Sequence, residues 1–304
     1  MALTEVKTYI MRVLITGARG FLGRQILEGL KDHQIITLGR SVQDDIRADL
    51  TTDVPKLPCT DMVIHVAGKA HVIPGNSKEA AAFHETNYGG TMKLAEALSA
   101  SSAIPKTFVF ISTVAVYGLE SGQNIDENAP TSGETPYATS KIEAERFLLK
   151  WSETCGVDLV VLRLPLIVGQ GAPGNLGAMV KNIRRGTYAR IGSGEARRSM
   201  VLASDVAALL PTLQGKSGIY NLTDGIHPSF AMLEDHIGKQ LGKRIRAIPP
   251  GIASWMARVG DLIPGSPFNS YRYSKMRQSL TFSHQRAVAE LGWNPKSVLE
   301  GFIP

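Results

Sequence analysis

A glycine-rich turn between two apolar runs is the feature that most constrains the fold of this chain. The run MRVLITG (11–17) has strand character, and three glycines then follow one another at intervals of three. The next residues, FLGRQILEGLK (21–31), place their leucines and isoleucine on one helix face. In such a unit the glycines allow a tight turn and a close approach of the backbone to a phosphate, which the helix N-terminus then faces. The turn therefore predicts a dinucleotide site, with candidate contacts at Gly17, Gly20, Phe21, Leu22 and Gly23.

Strand-like and helix-like segments alternate from Met11 to about Val168. Helical patterns cover 80–98 and 136–155. The strand-like runs after the first are HQIITLGR (33–40), DMVIHVAG (61–68), KTFVFISTVAVYG (106–118) and VDLVVLRLPLIVG (157–169). This order predicts an α/β fold, a Rossmann-type doubly wound parallel sheet with right-handed crossovers.

The alternation weakens after Gly169, where QGAPGNLG (170–177) is predicted to be a loop. SDVAALLPTLQ (204–214) has a helical pattern again, and GIYNLTDG (218–225) is typical of one more sheet strand. We therefore expect two interleaved domains. These are a dinucleotide-binding domain at 11–168 plus 203–224, and a smaller C-terminal substrate-binding domain at 169–202 plus 225–304.

Charge and composition exclude several classes of protein. The chain has 304 residues and a net charge of +6, but it has no long Lys/Arg tail and no module that interleaves basic and aromatic residues. A nucleic-acid partner is therefore not expected. No apolar run approaches the ~20 residues that span a bilayer, and the first ten residues lack the apolar core of a signal peptide. We expect a cytoplasmic protein with no membrane span.

The two cysteines and one apolar segment near the C-terminus are assigned no binding or catalytic role. Cys59 and Cys155 match no metal or disulfide spacing, so no metal site is expected. PPGIASWMARVGDLIP (249–264) resembles an interfacial helix, but it is short and only modestly basic. We interpret it as a helix of the smaller domain.

A tyrosine and a lysine share one face at the start of the helix 136–155. Tyr137 and Lys141 are four residues apart, so their side chains lie on the same helix face. A nearby cation lowers the pKa of a tyrosine from about 10 towards neutral. Ser112 and Thr113 end the preceding strand, at the sheet edge where open α/β sheets bind ligands. The combination predicts a proton-transfer site, and the alternatives are a solvated helix face and hydroxyls that cap the local backbone.

Five motifs, in this order, resemble the extended short-chain dehydrogenase/reductases, in their nucleotide-sugar epimerase and dehydratase branch. They are TGARGFLG (16–23), VIHVAG (63–68), FISTVAVYG (110–118), PYATSK (136–141) and RLPLIVGQG (163–171), and the resemblance extends to LTFSHQRAVAELGWNP (280–295). It implies that Thr113, rather than Ser112, bonds the reacting oxygen and that Tyr137 is the catalytic acid or base. It also implies that Lys141 binds the nicotinamide ribose and lowers the pKa of the tyrosine.

The resemblance implies further contacts with the cofactor and the substrate. Asp49 and Leu50 match the family's adenine-contacting pair, and Ala67 and Gly68 line the path of the cofactor's phosphates and ribose. Asn175 and Arg198 match positions that contact the diphosphate of the substrate. The remaining candidates are Pro165 for the cofactor, Lys275 for the diphosphate, and Lys69 and His71 for the sugar.

The end of the second strand bears on the choice of cofactor. NAD-binding members usually have an acidic residue there that holds the 2′-hydroxyl of the adenosine, whereas this chain has LGR (38–40). Arg40 stands at this point and Arg19 lies in the glycine turn, and guanidinium groups suit a 2′-phosphate. The two arginines favour NADP(H), and NAD(H) is the alternative.

One departure from the family pattern bears on the choice of reaction. The 4,6-dehydratases carry an Asp-Glu pair after the strand-end threonine, and this chain has Val114 and Ala115, so 4,6-dehydration is not expected. The whole pattern, including AGKAHV (67–72), is similar to bacterial 4-ketoreductases. It implies NADPH-dependent reduction of the 4-keto group of a nucleoside-diphospho-N-acetyl-6-deoxyhexose, UDP-linked, for surface polysaccharide synthesis.

Two alternatives stay open. The first is a UDP-hexose or UDP-N-acetylhexosamine 4-epimerase with bound NAD, which would use the same residues. The second is a non-catalytic dinucleotide sensor, which the intact set of Thr113, Tyr137 and Lys141 argues against. The family's dimers form through helices such as those containing 84–99 and 137–153, so a homodimer is also expected.

Overall fold

The computed structural model describes residues 10–70, 74–101, 104–263, 266 and 268–304. Within these ranges the strands, in chain order, are β1 (Arg12–Thr16), β2 (Gln34–Gly39), β3 (Ile46–Arg47), β4 (Met62–His65), β5 (Thr107–Thr113), β6 (Gly122–Ile125), β7 (Asp158–Leu164), β8 (Leu166–Val168), β9 (Ala189–Ile191), β10 (Met200–Leu202), β11 (Gly218–Asn221), β12 (Arg246–Ile248) and β13 (Leu280–Phe282). The helices are α1 (Phe21–Gly29), α2 (Ser77–Phe83), α3 (Gly90–Ser99), α4 (Pro136–Cys155), α5 (Gly174–Arg185), α6 (Ala203–Leu209), α7 (Phe230–Gln240), α8 (Pro250–Asp261), α9 (Ser270–Arg277), α10 (Gln285–Leu291) and α11 (Val298–Gly301).

Seven parallel strands form the central sheet, in the order β11-β7-β5-β4-β1-β2-β3. The chain runs outward from β1 to one edge and from β4 towards the other, so the strand order reverses between these two neighbours. In open α/β sheets, ligands bind beyond the carboxyl ends of the strands at this switch point. The predicted fold class, a doubly wound parallel sheet, is confirmed.

The sheet is buried on both faces, which explains the nearly continuous apolar runs of its strands. Successive residues of β1 alternate between two cores: Val13 and Ile15 pack on one side, and Leu14 packs on the other. Helices α1 and α6 cover the first core, and α3 and α4 cover the second. The carboxyl ends of the strands are left open to form the site.

Two of the strand-like runs do not stay in the central sheet over their whole length. The run 106–118 leaves the sheet after Thr113, whose side chain accepts a hydrogen bond from the Ala115 amide at 3.2 Å and starts a 3₁₀ turn. The run 157–169 breaks at Pro165, which has no N–H to donate to the sheet. Beyond this break, β8 pairs with β10 in a separate two-stranded sheet.

The C-terminal part mixes short parallel strand pairs with helices. β12 pairs with β9, and β13 pairs with β6. β11 returns to the edge of the main sheet beside β7, as the sequence predicts, whereas α5 begins inside the predicted loop 170–177. The division into two domains stays a prediction. None of the helices in the described ranges is long and apolar enough to cross a membrane.

Candidate active site

The glycine turn after β1 has a geometry that other residues would disrupt. Gly17 has a φ of +73°, and a Cβ added to it would lie 2.6 Å from the Ala67 amide nitrogen. A Cβ on Gly23 would lie 2.2 Å from the Gly17 carbonyl oxygen. Helix α1 begins after Gly20 without a side-chain cap, so its first N–H groups are available to an anion.

A cleft of about 1150 Å³ opens above this turn, at the carboxyl ends of the central strands. The predicted cofactor contacts all line it, and so do Thr113, Lys69 and Asn175. Those cofactor contacts are Gly17, Arg19, Gly20, Phe21, Leu22, Gly23, Arg40, Asp49, Leu50, Ala67, Gly68, Tyr137, Lys141 and Pro165. The fold thus gathers residues that are up to 158 positions apart, from Gly17 to Asn175, around one cavity.

The predicted catalytic residues meet where β5 ends beside the start of α4. Thr135 caps α4 by accepting a hydrogen bond from the Ala138 amide, and Pro136 occupies the first turn. This start places Tyr137 beside Thr113, whose side chain hydrogen-bonds the phenol. Lys141, one turn further along, donates from Nζ to the Ile111 carbonyl oxygen at 2.8 Å.

The protonation of this group differs from the sequence-based prediction. Burial raises the pKa of Tyr137, and the hydrogen bond with Thr113 opposes that rise. This direction is opposite to the lowering by Lys141 that the sequence predicts, because burial outweighs the other influences. The phenol stays protonated at neutral pH, the state from which it can donate a proton.

Lys141 is buried with a charge that has no close carboxylate. Burial lowers the pKa of Lys141 to about 8, and the charge of Glu145 partly opposes this shift. Within the described ranges, no carboxylate oxygen lies at ion-pair distance from its ammonium group. The ammonium therefore remains available to stabilise a negative charge that forms nearby.

Asn87, which the sequence patterns did not single out, hydrogen-bonds two segments that line or adjoin this site. It lies in a π-helical turn, His84–Gly89, between α2 and α3. Its side chain accepts a hydrogen bond from the Lys69 amide at 2.6 Å and donates to the Ser140 hydroxyl at 2.9 Å. Asn87 thereby holds the segment after β4 against α4. Its only sequence signal is a polar residue within a helical apolar pattern.

A second polar group behind the site was also missed. Glu145 lies one turn after Lys141, and its carboxylate accepts from Arg163 Nη2 at 2.7 Å. Arg163 also donates to the Tyr117 hydroxyl at 3.0 Å, which donates to Asn221 at 2.8 Å. Ser112, the alternative candidate at the end of β5, donates to Glu145. Ser112 is thereby tied to this network, which agrees with the choice of Thr113 for the reacting oxygen.

The rim of the cleft near the end of β2 contains an acid that the sequence analysis overlooked. Asp44 folds back so that its Oδ2 lies 2.4 Å from the position of a Cβ on Gly39. Its carboxylate accepts from the Ser41 amide at 3.0 Å and pairs with Arg19 Nε at 3.2 Å. Although LGR (38–40) itself contains no acid, a carboxylate therefore lies beside the end of β2. The loop places a carboxylate where the side chain of residue 39 would otherwise project.

The two guanidinium groups at this rim are nevertheless more exposed than the carboxylates with which they pair. The side chain of Asp44 is 3% exposed, whereas that of its partner Arg19 is 44% exposed. Arg40 is 79% exposed and lies 3.8 Å from the Asp49 carboxylate. A hydrogen bond from the Thr51 amide lowers the pKa of Asp49, so this carboxylate is ionised at neutral pH.

A second, mostly apolar cavity of about 280 Å³ adjoins the cleft through Pro165, Leu166 and Asn175. Arg198 lines it, donating from Nη2 to the Lys275 carbonyl oxygen at 2.9 Å. Burial lowers the pKa of Arg198, and no carboxylate of the described part of the chain pairs with it. The apolar lining comes from Leu176, Met179, Phe230, Leu233, Leu280 and Phe282.

One predicted substrate contact, Lys275, is not brought into either cavity. The ammonium group of Lys275 pairs with Glu120 at 2.5 Å, and Lys275 lines neither cavity. The structure therefore does not support it as a contact for the diphosphate. His71 lies outside the described residues.

Comparison with known proteins identifies the family. Residues 13–222 match the NAD dependent epimerase/dehydratase family. The chain belongs to this family. Among curated proteins, dTDP-glucose 4,6-dehydratase of Streptomyces niveus is 30% identical over 92% of this chain and 90% of its own length. UDP-glucose 4-epimerase of Vibrio cholerae is 26% identical over 95% and 93%, respectively. The chain thus belongs to a family of NAD(P)-dependent enzymes that act on nucleotide sugars.

Solved structures of similar proteins share the fold over almost the whole chain. RMD from Pseudomonas aeruginosa, complexed with NADPH, aligns with a TM-score of 0.73 at 24% identity, covering 95% of this chain and 96% of its own. UDP-glucose 4-epimerase of Thermus thermophilus, in complex with NAD, aligns with a TM-score of 0.74 at 23% identity, covering 96% of both. At these identities the two structures show a common fold and leave the choice of cofactor open.

Proposed function

We propose that this protein is an NADPH-dependent reductase that acts on the 4-keto group of a UDP-linked N-acetyl-6-deoxyhexose. The observation that carries this proposal is the unequal exposure of the Arg19–Asp44 pair, 44% against 3%. Because Asp44 is buried beneath Arg19, a ligand at the rim meets Arg19 and the exposed Arg40. Two guanidinium groups favour a 2′-phosphate over a 2′-hydroxyl.

The cleft suits a nicotinamide dinucleotide. The glycine turn allows a pyrophosphate to approach the uncapped N-terminus of α1, and a cavity of about 1150 Å³ continues from there to Tyr137. Asp49, Leu50 and Lys141 all line the cleft; the first two would contact the adenine, and Lys141 would contact the nicotinamide ribose. The bound cofactor would supply the hydride.

The second cavity suits the nucleotide part of the substrate. Its apolar walls can enclose a base. Arg198, which has no carboxylate partner among the described residues, brings its charge to one side of this cavity. Asn175 lines both cavities, so a diphosphate at this junction would leave the sugar directed towards Thr113 and Tyr137.

The protein's own residues account for the proton that the reaction requires. Thr113 and Tyr137 would hydrogen-bond the keto oxygen, which becomes an alkoxide as the hydride adds to the carbon. Tyr137, kept protonated by its raised pKa, gives its proton to that oxygen. The Lys141 ammonium stabilises the resulting phenolate until solvent reprotonates it.

The same site lacks the residues for a second kind of chemistry. Val114 and Ala115 follow Thr113 in the 3₁₀ turn, and Val114 lines the second cavity. Neither side chain can transfer a proton, so the elimination of water that 4,6-dehydratases perform has no acid or base here.

Asp44 supports a second candidate function, a UDP-hexose 4-epimerase with bound NAD. Its carboxylate occupies the space beside Gly39, at the end of β2, where an acid holds a 2′-hydroxyl in NAD-binding members. A modest rotation of Arg19 would expose this carboxylate to a ribose. The residues at the sugar end would be the same for both reactions.

The rates of NADPH and NADH oxidation, measured with a UDP-4-keto-6-deoxy-N-acetylhexosamine, test the proposal. We expect kcat/KM for NADPH to exceed that for NADH by about tenfold or more, and Arg19→Met to remove most of this preference. Arg47→Met, which changes an exposed arginine of β3 outside the cleft, should not alter it.

Two results would contradict the reductase proposal. If the purified protein retains NAD and interconverts UDP-hexoses without added cofactor, the epimerase is correct. If neither reduced cofactor is oxidised with this substrate, the substrate assignment is wrong.

A further inference from the structure

Helix α8 places its apolar side chains in the reverse of the usual arrangement. The residues that face the protein are small: Ala253, Ala257 and Gly260 are buried, and the first two pack in a cluster with Tyr273. The large apolar residues, in the helix and the turn that ends it, are on the exposed side. They form what we call the α8 stripe: Ile252, Trp255, Met256, Val259, Leu262 and Ile263.

The stripe is continuous and well exposed. Its members recur at the three- and four-residue intervals that share one helix face. Trp255 is 66% exposed and Leu262 is 82% exposed. The sequence-based interpretation of 249–264 as a helix of the smaller domain does not account for these exposed apolar side chains. An apolar surface of this kind usually marks an interaction site.

The stripe lies within the part of the chain that carries its positive charge. Residues 236–283 contain eight lysines and arginines and one acidic residue, a net charge of +7. The whole chain has a net charge of +6, so all other residues together contribute −1. The basic residues are Lys239, Lys243, Arg244, Arg246, Arg258, Arg272, Lys275 and Arg277.

Two of these basic residues lie on or next to α8. Arg258 lies on α8 itself, and Arg246 lies in β12, which ends just before α8. Both are exposed, and neither has a carboxylate at ion-pair distance in the described residues. The acidic residue of this segment, Asp261, accepts hydrogen bonds from the amide and hydroxyl of Ser270.

We propose that the α8 stripe and the surrounding basic side chains bind an anionic membrane surface. The apolar side chains would enter the boundary between headgroups and acyl chains, with Trp255 at headgroup level. The arginines and lysines would lie against the anionic headgroups. The protein would thus bind to the bilayer surface through α8, without crossing it.

The charge and the side chains of the α8 stripe favour a membrane surface over two other partners, a second copy of the chain and single-stranded nucleic acid. A second copy of the same surface would bring Arg246 and Arg258 of both copies together, which the repulsion between like charges opposes. Single-stranded nucleic acid would need several aromatic side chains on which bases stack, whereas five of the six residues in the stripe are aliphatic side chains or methionine. A lipid surface matches both the charge and the apolar stripe.

Binding to vesicles tests the proposal without reference to catalysis. The full chain is sedimented with phosphatidylserine-rich vesicles and with pure phosphatidylcholine vesicles, and tryptophan emission is followed in parallel. Trp151 and Trp293 are buried, so a blue shift on vesicle addition reports on Trp255. We expect binding to the anionic vesicles, a blue shift, and weakening by added salt.

Matched variants locate the surface. The triple variant Ile252→Ser, Trp255→Ser and Val259→Ser should bind anionic vesicles at least about tenfold more weakly. Ile303→Ser, which changes an exposed apolar residue outside the α8 stripe, should bind like the wild type. The substituted side chains are exposed, so the melting temperature should be unchanged, and the wild-type blue shift does not depend on any variant.

Three results would overturn the proposal. The first is no sedimentation of the wild type with anionic vesicles. The second is vesicle binding that the triple variant retains. The third is a result that assigns the stripe to another occupant. A change of oligomeric state in the triple variant would assign it to a second copy of the chain, and tighter binding of the wild type to single-stranded DNA than to the vesicles would assign it to nucleic acid.

Discussion

Two buried charged groups, Glu145 and Lys141, lie on the same face of α4, one turn apart, and they differ in their partners. Glu145 is paired with Arg163, and both side chains are 4% exposed. Lys141 is as deeply buried, but its ammonium group is bonded to a backbone carbonyl rather than to a carboxylate. A buried pair whose charges cancel serves the fold, whereas a buried unpaired charge destabilises it and is available to a reacting group.

The Glu145→Gln substitution tests the paired group most severely. It leaves the Arg163 guanidinium buried without a counter-charge, so we expect the free energy of unfolding to fall by about 3–5 kcal/mol. The double variant Glu145→Leu and Arg163→Met, which removes both charges, should recover much of this loss. Urea denaturation measures both. A loss below about 1 kcal/mol in Glu145→Gln would show that the pair contributes little.

The Tyr137→Phe substitution tests the catalytic group on the same helix. Removal of the phenol hydroxyl should lower kcat/KM by about 10²–10⁴-fold, the usual contribution of a positioned general acid. The urea midpoint should stay near that of the wild type, since the hydroxyl has Thr113 as its partner and no charge depends on it. Retention of more than about a tenth of the activity would exclude Tyr137 as the proton donor.

The Lys141→Met substitution should separate activity from stability. Activity should fall by about 10²-fold, because nothing then stabilises the phenolate. Burial lowers the pKa of Lys141 from 10.5 to about 8, so at neutral pH its charge costs stability. Removing it should raise the free energy of unfolding by about 1–3 kcal/mol. If Lys141→Met lowered the free energy of unfolding as much as Glu145→Gln does, the charge of Lys141 would not be the destabilising group that we describe.

The pH dependence of stability and of activity tests whether the charge of Lys141 is responsible for both effects. The pKa of Lys141 is lowered in the folded protein, so the stability cost of its charge is complete below about 8 and disappears as the pH rises towards 10.5. The stability advantage of Lys141→Met should shrink over that range. In the wild type, kcat/KM should fall above a pH of about 8 as the ammonium loses its proton. An alkaline limb that Lys141→Met leaves in place would assign it to another group.

The sequence predicted the parts of this site that depend on local patterns. The glycine spacing located the turn, and the Tyr137–Lys141 interval located a pair on a helix whose bounds, 136–155, agree with the structure. Each of these signals lies within a few residues. The sheet order could be predicted in outline because parallel strands need crossover helices.

The parts that escaped prediction depend on contacts between distant residues. Glu145, Arg163, Tyr117 and Asn221 form one network, although up to 104 positions separate its bonded members, and no local pattern predicts such pairing. Asp44 was overlooked because its loop folds back onto Gly39. The raised pKa of Tyr137 follows from burial, which spacing alone does not determine.

The most direct test of the proposed reaction follows the hydride itself. NADPH deuterated at C4 of its nicotinamide, on the transferred side, would be incubated with the UDP-linked 4-keto sugar, and the product examined by mass spectrometry and NMR. The reductase proposal predicts one deuterium at C4 of the sugar for each NADPH oxidised. A product without deuterium, formed while added NADPH is not consumed, would contradict the proposal.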